Sequence, residues 1–209
     1  KMNFREMLAR RQRAINSVLC VGLDPLLEKL PESIAAIPMQ NWRRVAKWMI
    51  NIVDATVPFA SLFKPQRAHY ESIPMGEYAL RAIVRHIVKY YPDIPIFLDC
   101  KRGDIGRTQA RYREAHFNLD GVDGMNFSPY MGRDCIEYLV DERKIKAIVG
   151  LCYTSNPSAR EVQDLQLSRE QSIKLGFEEE RVTLWESMAK MINGWGHHLG
   201  VGANTGLVM

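Results

Sequence analysis

The sequence predicts an α/β fold built on a parallel sheet, and three observations lead to this prediction. Short apolar runs rich in β-branched residues alternate with longer segments of helical periodicity. The runs IPIFLDC and IKAIVGLC are almost continuously apolar, as is typical of strands covered on both faces. Prolines mark several of the connections between them. Such a sheet is either doubly wound or closed as a barrel, and counting elements leaves both possibilities open.

The individual elements follow in chain order. Apolar residues at helical spacing predict an N-terminal helix, at Phe4, Met7, Leu8 and Ile15. The predicted strands are Val18–Leu23, Ser61–Lys64, Ile94–Asp99, Gly124–Phe127, Lys146–Cys152 and Gly206–Met209. The predicted internal helices are Asn41–Val57, Met75–Tyr91, Arg107–Leu119, Arg133–Asp141 and Glu178–Asn193. Two glycines before a histidine pair predict a surface loop over 194–198.

Composition excludes several classes of protein. The 209 residues are 46% hydrophobic and 25% charged, which excludes disorder and suits one domain over residues 1–209. No apolar run approaches the about 20 residues of a membrane span. The net charge of +4 is too small to indicate a nucleic-acid or membrane partner. None of the four cysteines forms a C-x-x-C pair, so we expect reduced, mostly buried thiols and a cytoplasmic protein.

The stretch LDCKRGDI carries the strongest chemical signal. An apolar strand ends there in Asp99, Lys101 and Asp104, with Gly103 and Gly106 allowing a turn. In parallel α/β folds the carboxyl ends of strands bind ligands. On extended backbone Asp99 and Lys101 point to the same side. The flanking carboxylates favour the charged ammonium, which makes Lys101 a poor Schiff-base nucleophile but a proton donor. The alternative is a solvated strand end with an incidental ion pair.

Two other predicted strands end in charged residues. Asp24 follows the first strand in VGLDP, and Lys64 ends the second strand in FKPQ. Alone, each is explained equally well by a turn or by a surface position. Together with the three charges after the third strand, they place five ionisable groups on one rim, which favours a ligand site.

For the histidines and the basic run near the N-terminus, a structural or surface role is preferred to a binding site. The five histidines show no metal-ligand spacing with nearby cysteines or carboxylates, so no metal site is predicted. The basic run Arg10–Arg13 is more typical of a solvated helix face than of a nucleic-acid site.

The motifs resemble those of the orotidine 5′-phosphate decarboxylase family. LDCKRGDIGRT matches the pattern D-x-K-x-x-D-I-x-x-T, and VGLDP, FKPQ, N-x-S-P-Y-M-G and TSNP follow the family's order. The last three resemble its longer, bacterial-type branch. The resemblance implies a (β/α)8 TIM barrel, of which this sequence supplies about six βα units. It also implies a carboxy-lyase of pyrimidine biosynthesis that converts orotidine 5′-monophosphate (OMP) to uridine 5′-monophosphate (UMP) and CO2, without metal or organic cofactor.

The resemblance also implies catalytic roles. Lys101 corresponds to the lysine that protonates C6 as CO2 leaves, and Asp99 to the aspartate beside the substrate carboxylate. Lys64 corresponds to the lysine that braces this aspartate and contacts the ribose. Asp104 corresponds to an aspartate that reaches into the partner subunit's site, which implies a homodimer.

Substrate-binding roles are implied in the same way. Asp24 corresponds to the residue that holds a ribose hydroxyl, and Gln66 to a further polar ribose contact. Ser155, with Thr154, corresponds to the polar contact with the pyrimidine ring. Beside Asp104 lie two more substrate-binding positions, Ile105 and Thr108.

Two other functions stay open. Magnesium-dependent sugar-phosphate decarboxylases and synthases of the same barrel group share a D-x-K-x-x-D element. A non-catalytic, nucleotide-binding barrel is the other possibility, although the intact set of charged residues disfavours it.

The length sets one further expectation. A (β/α)8 barrel takes about 250 residues, so strands seven and eight would need roughly 60 more than this sequence supplies. We therefore expect a partial barrel, and no residue here is assigned to the phosphate-binding loops that follow those strands.

Overall fold

The computed structural model describes residues 2–141, 143–178, 181–202 and 205–208. Within these ranges the strands are β1 (Leu19–Leu23), β2 (Ala60–Pro65), β3 (Phe97–Arg102), β4 (Gly124–Phe127), β5 (Ala147–Leu151) and β6 (Thr205–Val208). β1 pairs with β2, and β5 pairs with β6, in parallel. Parallel bridges at Phe63–Ile96 and Gln66–Asp99 join β2 to β3, and the remaining strands follow in the order β3-β4-β5-β6. Strands that neighbour each other in the sheets are therefore consecutive in the chain.

Helices separate most of these strands. They are α1 (Phe4–Ile15), α2 (Glu32–Ala35), α3 (Asn41–Thr56), α4 (Arg67–Glu71), α5 (Gly76–Tyr90), α6 (Gly106–Arg113), α7 (Asp134–Glu137), α8 (Arg160–Gln163), α9 (Arg169–Lys174) and α10 (Leu184–His198). A π-helical segment, Glu114–Asp120, continues α6. The predicted βα alternation is confirmed.

The chain divides into two compact units. The first comprises Lys1–Cys100 and Arg113–Met125, and the second comprises Lys101–Tyr112 and Asn126–Met209. The strands β3 and β4 both begin in the first unit and end in the second. A single domain over residues 1–209 stays a prediction.

In the first unit, the apolar stripes of α3 and α5 pack together. Val45 and Val53 on α3, and Leu80 and Ile83 on α5, are almost fully buried. These positions recur at helical spacing, so each helix turns one apolar face inward. Their burial supplies much of the apolar area that stabilises this unit.

A buried carboxylate lies at the end of the π-helical segment of the first unit. The side chain of Asp120 is 1% exposed, and its oxygens lie 2.8 Å from Arg67 Nη1 and 3.0 Å from Arg81 Nε. His116 Nδ1 lies 3.0 Å from the same carboxylate. Burial alone raises the pKa of Asp120, but the hydrogen bonds from His116 and Arg81 and the charge of Arg67 outweigh it and hold the pKa below its usual value. The cluster ties α4, α5 and the π-helical segment together.

In the second unit, α10 packs against β5. A Cβ atom at Gly150 would lie 2.5 Å from Ile192 Cδ1, so the glycine permits this close approach. A capping box fixes the start of α10, because the Thr183 hydroxyl accepts from the Glu186 backbone N–H and the Glu186 carboxylate accepts from the Thr183 backbone N–H.

Several sequence predictions differ from the structure. The helix predicted over Arg133–Asp141 ends already at Glu137, and the helix predicted over Glu178–Asn193 starts only at Leu184, after the Thr183 N-cap. The third strand continues to Arg102 rather than ending at Asp99. The third strand starts at Phe97 rather than Ile94, since Pro95 has no N–H to donate to a ladder. The loop predicted over 194–198 is the last turn of α10, which continues to His198. The helix predicted over Arg107–Leu119 changes to π-helix at Glu114. Strand boundaries elsewhere agree to within one residue, with Met209 lying outside the described residues.

Replacing Gly76 with alanine is expected to destabilise the protein. A Cβ atom at this first residue of α5 would overlap the carbonyl oxygen of Tyr70, which is backbone and cannot move aside cheaply. We expect a loss of about 2–3 kcal/mol, measured by urea unfolding. Gly194→Ala in α10 is the matched control, because nothing lies within 4 Å of the new Cβ atom there. It should stabilise the protein by about 0.5–1 kcal/mol, and similar effects of the two substitutions would contradict the packing at Gly76.

Candidate active site

In the first unit, the structure brings together four of the residues singled out from the sequence. They lie in or directly after three neighbouring strands: Asp24 after β1, Lys64 in β2 and Gln66 after it, and Asp99 in β3. The strand register causes this, because Gly22 pairs with Lys64 and Gln66 bridges to Asp99. The carboxyl ends of these parallel strands therefore form one polar edge.

Contacts within this edge link the strands in pairs. Lys64 Nζ lies 3.7 Å from Asp99 Oδ2, with side chains 33% and 16% exposed. The Asp24 carboxylate accepts a hydrogen bond from the Gln66 backbone N–H at 3.1 Å. The Gln66 side chain caps α4 by accepting from the Ala68 N–H at 3.1 Å. An ammonium is thus held beside one carboxylate, with a second carboxylate one strand away.

A buried tyrosine fixes the end of β1. The Tyr70 hydroxyl donates to the Leu23 carbonyl at 2.8 Å, directly before Asp24. Burial, and secondarily the Asp24 carboxylate, raise the pKa of Tyr70 well above its usual range, so the phenol stays a donor. Cys20, on the same strand, is exposed, contrary to the prediction of mostly buried thiols for this one residue. Partial desolvation of its thiol nevertheless raises the pKa of Cys20, the Lys64 ammonium opposes that shift, and Asp24 adds to it.

The second unit holds Lys101, Asp104, Ile105 and Thr108. Lys101 is exposed and lies in β3 with φ +49°, so the extended backbone assumed for it in the sequence analysis is wrong. Asp104 follows β3 and accepts a hydrogen bond from the Ile105 N–H at 2.8 Å. The Ile105 side chain is 57% exposed, and Thr108 is exposed on the first turns of α6. Lys101 thus lies near the carboxyl end of β3, and the other three residues follow the strand.

Thr154 and Ser155 follow β5 in the second unit. The Thr154 hydroxyl donates to Asn156 Oδ1 at 2.7 Å and accepts from Gln163 Nε2 at 2.9 Å, so local partners fix its orientation. Ser155 is exposed and lines a cavity of about 330 Å³ with Asn156 and Arg160. Thr154 also lines a second cavity, of about 190 Å³, together with the turn that follows β4. Ser155 is therefore the better placed of the pair to contact a ligand.

Two residues near these positions were not assigned from the sequence. Asn126, in β4, is 3% exposed and accepts a hydrogen bond from the Lys101 N–H at 2.7 Å. An asparagine inside the otherwise apolar strand GMNF is the signal that could have identified it. Gln163 accepts from the Thr154 N–H at 2.8 Å, and nothing in its surrounding sequence marks it.

The ranges that the structure describes also bear on two other classes of site, metal clusters and membrane spans. No group of three or more histidine, cysteine, aspartate or glutamate side chains is arranged there to hold a metal ion. No helix in those ranges combines the length and the apolar character that crossing a membrane requires.

Comparison with known proteins identifies the family. The model of the orotidine 5′-phosphate decarboxylase / HUMPS family matches residues 17–183. The chain is 34% identical over 194 residues to the orotidine 5′-phosphate decarboxylase of Leptospira interrogans, covering 92% of this chain and 65% of that protein. It is 35% identical over 205 residues to the enzyme of that name from Halorubrum lacusprofundi, covering 98% of this chain and 66% of that protein.

A solved structure agrees with these relatives. OMP decarboxylase of Leishmania donovani superposes with a TM-score of 0.78 at 29% identity, covering 100% of this chain and 70% of that chain. Such proteins are TIM barrels, so the predicted fold class is confirmed. The chain spans about two thirds of the length of the two curated relatives above, 65% and 66%. The sequence motifs, the family model and the structural likeness lead to one conclusion: the chain belongs to the orotidine 5′-phosphate decarboxylase / HUMPS family.

Proposed function

We propose that the protein decarboxylates OMP to UMP and CO2, as a carboxy-lyase of pyrimidine biosynthesis. The observation that carries the proposal is the D-x-K-x-x-D-I motif that begins in β3, whose first aspartate, Asp99, pairs with Lys64. Curated relatives at 34% and 35% identity are named for this activity. We also propose that the protein is cytoplasmic, as expected from its reduced cysteines.

The proposed chemistry needs one fixed cation and one proton. Breaking the bond between C6 and the carboxylate leaves the electron pair on C6 as CO2 departs. The Lys101 ammonium stabilises that developing negative charge and then delivers its proton to C6, which forms UMP and a neutral amine. Solvent returns the proton to the amine before the next turnover. Asp99, placed beside the substrate carboxylate, would raise the energy of the bound substrate until CO2 leaves.

The remaining residues orient the nucleotide. Asp24 and Gln66 contact the ribose in this proposal, and Lys64 braces Asp99 and also reaches the ribose. Thr154 and Ser155 contact the pyrimidine ring. Two hydrogen bonds support these roles. The Gln66 backbone N–H donates to the Asp24 carboxylate, and the Gln163 side chain donates to the Thr154 hydroxyl, so the Asp24 and Thr154 side chains are oriented before substrate binds.

A second copy of the chain completes the site in this proposal. Asp104, with Ile105 and Thr108 nearby, would enter the partner's site in a homodimer. The 57% exposure of Ile105 supports an apolar contact at this position.

A turnover assay with OMP in the presence of EDTA tests the function. We expect UMP to form at the same rate with and without the chelator. Loss of turnover on chelation, restored by Mg²⁺, would favour the sugar-phosphate decarboxylases and synthases instead. UMP binding by calorimetry without any turnover would favour a non-catalytic nucleotide-binding barrel.

A further inference from the structure

The backbone of Lys101 has a conformation that its residue type disfavours. Its φ angle is +49°, in the left-handed region, where a side chain with a Cβ atom is strained. Strain of this kind persists where surrounding contacts impose it, and such positions cluster at functional sites. The contacts that impose it here can be identified in the second unit.

Asn126 supplies the first of these contacts. Its side-chain oxygen accepts a hydrogen bond from the Lys101 N–H at 2.7 Å. Asn126 is 3% exposed, so it lies inside the unit and water does not compete strongly for this bond. A side-chain oxygen of β4 thus accepts the N–H of the strained residue and holds it from the neighbouring strand.

The next two residues are held from the same strand end. The Ser128 N–H donates to the Arg102 carbonyl at 2.7 Å. A Cβ atom at Gly103 would lie 3.0 Å from Ser128 Cβ, so the chain runs close against Ser128. The backbone of residues 101–103 is therefore fixed on both sides of the strained φ angle.

We propose that Asn126 is a positioning residue for the decarboxylation: it holds the Lys101 backbone in the left-handed conformation from which the ammonium reaches C6. Asn126 acts through Lys101 and does not itself touch the substrate. This inference rests on the proposed function, so it is tested both with and without turnover.

The first test measures thermal unfolding. Because glycine is not strained at positive φ, Lys101→Gly should unfold about 2–4 °C above Lys101→Ala. The same pair of substitutions at Lys47, which is exposed in the middle of the helix α3, is the control, and there glycine should be the less stable. In an Asn126→Ala background, the difference in unfolding temperature between Lys101→Gly and Lys101→Ala should shrink, since the contact that imposes the conformation is gone. An unchanged difference would overturn the role of Asn126.

The second test measures kinetics per folded active site, counted by UMP titration. Asn126→Ala should lower kcat by about 10- to 100-fold and change KM by less than about threefold, because a small displacement of the proton donor affects the chemical step. Asn126→Asp keeps the acceptor oxygen and should recover most of the kcat. In a Lys101→Ala background, Asn126→Ala should cost nothing further.

Ser172→Ala is the matched control for the kinetic test. Ser172 is also buried in the second unit, and its hydroxyl donates to the Ser168 carbonyl at 3.1 Å. Its loss should lower stability and leave kcat unchanged. Wild-type kcat in Asn126→Ala would overturn the positioning role while the proposed function stands. Absence of turnover in the wild-type protein would overturn the proposed function, and the thermal comparison would still decide whether Asn126 holds Lys101.

Discussion

Replacing Lys101 with alanine is expected to abolish the proposed decarboxylation of OMP while leaving UMP binding measurable. The substitution removes both the cation that stabilises the electron pair on C6 and the proton that C6 receives. We expect kcat to fall by at least about a thousandfold, measured as UMP formed per active site. The dissociation constant for UMP should change by less than about tenfold, because the product carries no developing charge at C6.

Lys89→Ala is the control for this experiment. Lys89 lies on α5, with its ammonium 4.7 Å from the ring centre of Tyr90, and plays no part in the proposed chemistry. Its replacement should leave kcat unchanged. Substantial turnover by the Lys101→Ala protein would exclude Lys101 as the proton donor.

Replacing Asp120 with alanine is expected to cause the largest loss of stability among the substitutions considered. The carboxylate is 1% exposed and joins Arg67, Arg81 and His116, so its removal leaves cationic donors partly buried without their acceptor. Breaking a buried cluster of this kind costs about 3–5 kcal/mol. Urea unfolding at neutral pH measures the loss.

The pH dependence gives a second measurement on the same cluster. The folded-state pKa of Asp120 lies below its usual value, so the stabilisation is fully present above about pH 4. This stabilisation is lost as the pH falls through the folded-state pKa. The difference in unfolding free energy between wild type and Asp120→Ala should therefore shrink in acid. Asp93, whose side chain is 59% exposed in its pair with Arg11, is the control, and Asp93→Ala should cost less than about 1 kcal/mol. A gap between wild type and Asp120→Ala that stays constant down to pH 2 would contradict the cluster's role.

The parts of the fold that depend on local pattern could be predicted from the sequence. Val45, Met49 and Val53 predict α3 because apolar residues three to four positions apart lie on one face of a helix. The change from α- to π-helix at Glu114 could not be predicted, since it appears together with tertiary contacts that Asp120 makes with α4 and α5. The last turn of α10 was missed because glycine and histidine signal a loop locally, whereas Gly196 is buried in a continuing helix.

In the candidate site, too, some features follow from local sequence pattern and others depend on distant contacts. Its charged residues could be found from the sequence, since parallel strands place their carboxyl ends along one edge. The positive φ angle of Lys101 could not, because nothing local favours it in a lysine. It depends on a hydrogen bond to Asn126, which lies 25 positions later in the chain.

The exposure of Cys20 has a practical consequence. The other three cysteines, Cys100, Cys135 and Cys152, are buried, and burial raises the pKa of Cys135 to about 11, which keeps that thiol protonated and slow to react. The pKa of Cys20 is raised as well, so its thiol reacts slowly at neutral pH, but it is the exposed one of the four. A maleimide fluorophore added to the native protein at mildly alkaline pH would therefore attach at this sulfur, without any engineering of the cysteine content. Since the charges of Lys64 and Asp24 act on that sulfur, the dye would lie near the polar edge of the first unit, and a change in its emission on adding UMP would test the proposed nucleotide binding.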